Sequence, residues 1–188
     1  TDKFVPKKKY EMMPLTVEDT KPYVQAMVKM NDSTTSNVKL LIDTGASHGL
    51  ILEPDSNPEI KVPAKHINSI IGRGLGGVIN GQIGRINSLD LGKYKIPQVI
   101  TNFPDPNSYM DSIKNNRTIF RNGAIGGEIL SRFTVIFNMP GEKVYFKKNS
   151  QFKKKFYFNQ SGLTLKAEGV NLRRFKITDV RENSTAQK

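Results

Sequence analysis

The sequence predicts an all-β domain with one or two short helices, and three observations lead there. Strand-like runs rich in β-branched and aromatic residues dominate, as in residues 22–30 and 38–42. Turn signals are short and frequent, with Leu91-Gly92-Lys93 before Tyr94 and Met139-Pro140-Gly141 before Lys143. Helix is scarce: the candidates are residues 127–133 and a stretch around 110–115, where Asn107 or Ser108 stands in a capping position. Such a chain suits a closed barrel better than a layered α/β fold.

Taken in order, the strands at 22–30 and 38–42 are joined by the polar loop 31–37 and form a hairpin. Further strands are expected at 84–91, 95–103, 133–138 and 143–147. Around residues 150–155 the composition shifts to a polar, lysine-rich linker. Beyond it, residues 156–159, 163–166 and 174–180 read as strands of a second unit too short to build a core of its own. The expected organisation is a main domain over 1–150, then a linker and partial domain over 151–188. No internal repeat is present.

Composition narrows the chemistry. Of 188 residues, 37% are hydrophobic and 24% charged, the balance of a folded domain rather than a disordered chain. No apolar stretch is long enough for a transmembrane helix. The chain begins at Thr1 rather than Met, which reads as a processed or cloned fragment, and its first residues lack a signal-sequence pattern. The absence of cysteine removes disulfides, thiolate nucleophiles and cysteine zinc sites. With only His48 and His66 and no HExxH spacing, neither a metal nor another cofactor is expected.

Lys and Arg number 29 against 17 Asp and Glu, a net charge of +12. Such a field attracts nucleic acid, anionic lipid or acidic peptides. The basic runs Lys7-Lys8-Lys9, Lys147-Lys148 and Lys153-Lys154-Lys155 interleave with aromatics, but as strand alternation beside a solvated linker. No helix-turn-helix or RNA-binding signature accompanies them, so no nucleic-acid partner is expected.

The chemistry concentrates at Leu40-Leu41-Ile42-Asp43-Thr44-Gly45-Ala46-Ser47, where a carboxylate ends an apolar strand. An ionisable group emerging from a buried strand needs hydrogen-bond partners and is a functional candidate. Gly45 lets the backbone bend and bring an amide to Asp43. Thr44 offers a hydroxyl to lock the loop to a partner, while Ala46 and Ser47 are small enough for another loop to approach. Two such aspartates face to face cannot both ionise and share a proton. One then activates a water while the other protonates or hydrogen-bonds a peptide carbonyl.

This segment and three others, in order, resemble the retropepsin-like aspartic peptidases, and more narrowly the second aspartic domain of bacterial envelope proteins that carry a following PDZ domain. The others are the glycine-rich stretch Ile71-Gly72-Arg73-Gly74-Leu75-Gly76-Gly77-Val78, similar to the flap; Gly123-Ala124-Ile125-Gly126-Gly127-Glu128-Ile129-Leu130, similar to the segment supporting the catalytic loop; and the closing hairpin 133–146. The resemblance implies a retropepsin-like barrel and an aspartic endopeptidase with Asp43 as one catalytic carboxylate. Thr44, Gly45 and Ala46 would position it, Ile125 and Gly126 would support the loop, and Gly72, Gly74, Leu75, Gly76, Gly77 and Val78 would form the flap. It implies a peptide or unfolded protein as substrate, an envelope, periplasmic or secreted location, and a second carboxylate from an upstream aspartic domain or a homodimer. No other D-[TS]-G occurs in the chain. The alternative is a catalytically silent peptide-binding scaffold.

Two decoys fail on context. Gly72-x-Gly74-x-x-Gly77 matches a dinucleotide fingerprint, but Val78-Ile79-Asn80-Gly81 reads as strand then turn where a helix is required. Gly45-Ala46-Ser47-His48-Gly49 matches a nucleophile elbow, which belongs to a long α/β chain. Departures from the family pattern are Asn122 before Gly123, Asn138 in the closing hairpin, Ser47 in place of a backbone-gripping Asp, and His48, which reads as a flanking residue. In the family, Ala46 in place of a hydroxyl residue accompanies activity nearer neutral pH. The tail Ser161-Gly162-Leu163 with residues 175–186 resembles the opening of a PDZ domain.

Overall fold

A computed structural model describes residues 6, 9–74, 77–106, 119–159, 161–181 and 184–187. The chain forms two compact units, Thr1–Lys154 and Lys155–Lys188.

The first unit is built on the hairpin of β3 (Lys21–Lys29) and β4 (Thr35–Ile42). Its inward residues alternate along the strands: Val24, Ala26 and Val28 on β3, and Val38, Leu40 and Ile42 on β4, are all buried. The loop is shorter than the polar run 31–37 suggests, because Thr35–Asn37 already pair with Met27–Lys29. Asn31 makes the tight reversal possible: its Oδ1 accepts from the Ser33 and Thr34 N–H groups at 3.0 and 2.8 Å.

The remaining strands are β1 (Glu11–Pro14), β2 (Thr16–Glu18), β5 (Leu50–Leu52), β6 (His66–Gly74), β7 (Gly77–Arg85), β8 (Ser88–Leu91), β9 (Tyr94–Pro97), β10 (Ile100–Pro104), β11 (Gly123–Ile125), β12 (Phe133–Asn138) and β13 (Lys143–Lys148). Two expected strands are each split in two. Residues 84–91 break at Ile86 and Asn87, whose N–H groups turn to Val99 and Lys29. Residues 95–103 break after Pro97, where Gln98 takes a left-handed φ of 55°. The helix expected over 127–133 is a single turn, α1 (Gly127–Leu130), because Phe133 already belongs to β12. The helix expected around 110–115 lies outside the described residues.

The main sheet runs β6-β7-β10-β5-β11-β4-β3-β8-β9, with β2 on β3, and β1-β13-β12 form a separate ladder. The expectation of a closed barrel is therefore corrected: among the described residues no pairing joins β6 to β9. The β9 end has little to offer, being four residues long and closing on Pro97, which has no N–H. Phe133 bridges the two sheets, its ring 5.4 Å from both Tyr94 of β9 and Phe146 of β13.

The centre of the main sheet matters most for the site. Short β11 lies between β4, to which it is parallel, and β5, to which it is antiparallel. The fit is so close that a Cβ on Gly123 would stand 1.9 Å from the Ile51 carbonyl oxygen. Leu40, Leu50, Leu52 and Ile125 are all fully buried around this junction.

In the second unit β14 (Leu163–Glu168) and β15 (Arg174–Val180) form an antiparallel pair. Residues 156–159 form no strand, contrary to expectation. Asn159 instead organises a turn into β14, accepting from Ser161 N–H at 3.1 Å and donating to the Leu163 carbonyl at 2.7 Å.

Candidate active site

β4 delivers Asp43 directly from the buried core. Its N–H donates to the carbonyl of Ile125, the last residue of β11, at 2.9 Å. The half-buried Asp43 side chain turns back on its own loop, with Oδ1 accepting from the Gly45 and Ala46 N–H groups at 3.0 and 3.1 Å. Two backbone donors on one oxygen fix the carboxylate's orientation and leave the other oxygen free of the loop.

The loop is clamped from behind by the turn into α1. Gly126 N–H donates to Gly49 O at 2.8 Å, Gly127 N–H to Ala46 O at 2.7 Å, and Glu128 N–H to His48 O at 3.3 Å. A Cβ on Gly126 would stand 2.2 Å from His48 O and 3.1 Å from Ala46 O, so only glycine fits. Ile125 and Gly126 thus touch the loop directly.

Thr44 and Gly45 face outward. Both are exposed, and among the described residues the Thr44 hydroxyl has no hydrogen-bond partner. Gly45 has no left-handed φ, and a Cβ there would make only an ordinary 3.5 Å contact with Asp43 Oδ1. The chain's own fold therefore does not require glycine at position 45.

The family model described as aspartyl protease matches residues 26–126, more than half of the chain. The chain belongs to the aspartyl protease family. No curated protein matches it. Among solved structures, a retropepsin-like aspartic protease from Rickettsia conorii is similar at 15% identity with a TM-score of 0.48, over 72% of this chain and 97% of that one.

In this aspartyl protease domain the described part of the glycine-rich stretch lies in the antiparallel pair β6 and β7. Arg73 pairs with Val78 and Gly74 with Gly77, whose φ of 125° suits glycine. Val78 is exposed, Gly72 is half-buried, and Leu75 and Gly76 lie outside the described residues. Because β7 follows directly, the dinucleotide decoy has no helix to cap. The second decoy fails likewise, since Gly49 leads into β5 rather than a helix.

Four residues gain roles that the sequence did not display. Asn122 is buried, and its Oδ1 accepts from Lys39 N–H at 2.8 Å while its Nδ2 donates to Ser56 Oγ at 3.1 Å. An aspartate there would lose the donor, which gives this departure from the family pattern a physical reason. Buried Glu53 pairs at 3.3 Å with the half-buried Arg121 beside it. The sequence signal was a lone acid ending Leu50-Ile51-Leu52 and a lone arginine before Asn122. Asn138 takes a turn role, accepting from Gly141 N–H at 3.1 Å.

Two ionisable groups behind the loop are displaced by burial. The Glu128 carboxyl is raised above the usual carboxylate range, with Arg132 and Lys154 opposing the rise. Arg132 is almost fully buried and donates Nε to Glu128 O at 3.2 Å and Nη1 to Lys154 O. Burial lowers the guanidinium from its ordinary value, against the pull of Glu128.

Two cavities among the described residues lie elsewhere. One of about 720 Å³ sits between the β3–β4 loop, Pro63 and Arg85, at the far end of β4 from Asp43. Another, of about 540 Å³, is lined by Lys9, Lys93, Tyr94, Lys147 and Lys148, which brings lysines of two basic runs together. Asp43 lines neither.

Proposed function

We propose that this domain is one half of a retropepsin-like aspartic endopeptidase, in which Asp43 supplies one carboxylate of a two-aspartate site. The observation that carries the reading is the held carboxylate. Asp43 Oδ1 is fixed by the Gly45 and Ala46 amides, while the Thr44 hydroxyl, unbonded among the described residues, and the bare Cα of Gly45 face outward. A second such loop would meet that outward face. Thr44 would lock the two loops together, and the missing Cβ at Gly45 would leave room for the approach.

The pair then holds one proton between two carboxyls. The ionised one takes a proton from a water, whose oxygen attacks the peptide carbonyl carbon. The protonated one gives its proton to the carbonyl oxygen. Collapse of the resulting diol breaks the C–N bond as the nitrogen is protonated, with no covalent enzyme intermediate. The β6–β7 hairpin, with Gly72, Gly74, Leu75, Gly76, Gly77 and Val78, serves as the flap over an unfolded protein or peptide. The second carboxylate comes from an upstream aspartic domain in a longer chain, or from a second copy. The family resemblance also supports an envelope location and a PDZ-like second unit.

The test is cleavage of an unstructured protein by the longer protein, with and without pepstatin. Inhibitor-sensitive cleavage is expected. Peptide binding without any cleavage would favour a silent peptide-binding scaffold instead.

A further inference from the structure

His48 lies just beyond the Asp43 loop, and the reaction above makes no use of it. Yet it is built into the clamp. Its carbonyl oxygen accepts from Glu128 N–H, and its Cδ2 would stand 3.0 Å from a Cβ on Gly126. Ring and backbone therefore pack on the same turn that supports Asp43.

Its Nε2 is sealed from solvent and has no hydrogen-bond partner among the described residues. A neutral imidazole tolerates this by carrying its proton on Nδ1, leaving a bare lone pair at Nε2. A charged ring must place an N–H there, with no acceptor for it among the described residues. The charged groups around it are Asp43 on its own loop, Arg121 from the segment before β11, and Glu128, whose amide holds its carbonyl. Burial is the largest influence and holds the imidazole below its ordinary value of 6.5; Asp43 pulls the other way and Arg121 adds to the lowering.

We propose that His48 is a positioning residue whose uncharged imidazole seats the Asp43 loop on the Gly126–Gly127 turn, and that charging it unseats the loop and sets the acid limit of the reaction. The second half rests on the peptidase reading; the first does not.

The sign follows from linkage. The unfolded chain takes up the proton at the ordinary value, while the folded chain takes it up only at lower pH. The contribution of His48 to loop stability is whole above pH 6.5 and is lost as pH falls below it.

The experiment is an NMR titration of wild type, His48→Gln and His48→Leu from neutral pH downward, following the His48 imidazole and the Gly45 and Ala46 amides. In wild type these amides are expected to move with the imidazole midpoint, and their hydrogen exchange to speed up by about tenfold below it. In the folded variants that step disappears. In the active assembly, the acid limb of the pH–rate profile moves to lower pH in both variants. Amides that ignore the His48 midpoint would overturn the proposal, as would an acid limb shared by wild type and variants. If no form cleaves at any pH, the peptidase reading fails, while the amide titration still decides the role of His48.

Discussion

Replacing Asp43 with asparagine is expected to slow peptide cleavage by the assembled enzyme by about 10³-fold or more, with the fold intact. In the proposed reaction the pair needs one carboxylate to take the water's proton and one carboxyl to give a proton up, and an amide can do neither. The loop has no comparable need for the charge. An asparagine Oδ1 can still accept from Gly45 and Ala46 N–H, and the clamp through Ile125, Gly126 and Gly127 uses backbone groups alone. Initial rates measured beside thermal melts separate the two effects: the rate collapses while the melting temperature stays within a few degrees. A comparable loss of both would mean that Asp43 is structural.

The second large effect is at Gly126. A Cβ there meets the His48 carbonyl oxygen at 2.2 Å and the Ala46 carbonyl oxygen at 3.1 Å, both backbone atoms that no side-chain rotation can move aside. Gly126→Ala is expected to cost about 2–4 kcal/mol, beyond ordinary overpacking because the loop must leave its clamp. Gly45→Ala is the informative contrast. This chain accommodates that Cβ, so its stability changes by no more than about 0.5 kcal/mol. If a second loop packs against position 45, however, activity falls sharply all the same. Chemical denaturation of both variants, paired with rates, shows whether the two glycines divide in this way. Equal destabilisation would mean that Gly45 serves the chain's own fold.

The difference between these glycines also marks where the sequence stopped being informative. Asp43-Thr44-Gly45 at the end of an apolar strand is a local pattern, and alternation places Leu40 and Ile42 in the core whatever surrounds them. The hairpin into it and the β6–β7 hairpin follow from residues near one another in sequence. The clamp does not. It depends on β11 entering between β4 and β5, a pairing of segments some eighty residues apart that local propensity does not specify. Hence Gly123 and Gly126 could be read as belonging to a supporting segment, but not as the positions where a methyl group cannot fit. The same holds for Asn122, whose two side-chain hydrogen bonds reach Lys39 and Ser56. The open ladder was hidden for a related reason. Pro97 marks Tyr94–Pro97 as an edge strand, but nothing local says whether that edge meets β6, and the break at Gln98 lies in a backbone angle rather than a residue type. His48 read as a flanking residue because its environment comes from the turn into α1, far along the chain.

The central claim is that Asp43 is half of an active site whose other carboxylate comes from another domain or from a second copy of this chain. The most direct test is to measure pepstatin-sensitive cleavage by this chain alone across a wide concentration range, and again in the presence of the proposed upstream aspartic domain. The account predicts no cleavage by the monomer, with activity appearing either when the upstream domain is added or steeply with concentration as copies pair. Pepstatin-sensitive cleavage that stays proportional to concentration in a strictly monomeric sample would contradict it, because the second carboxylate would then have to lie within this chain.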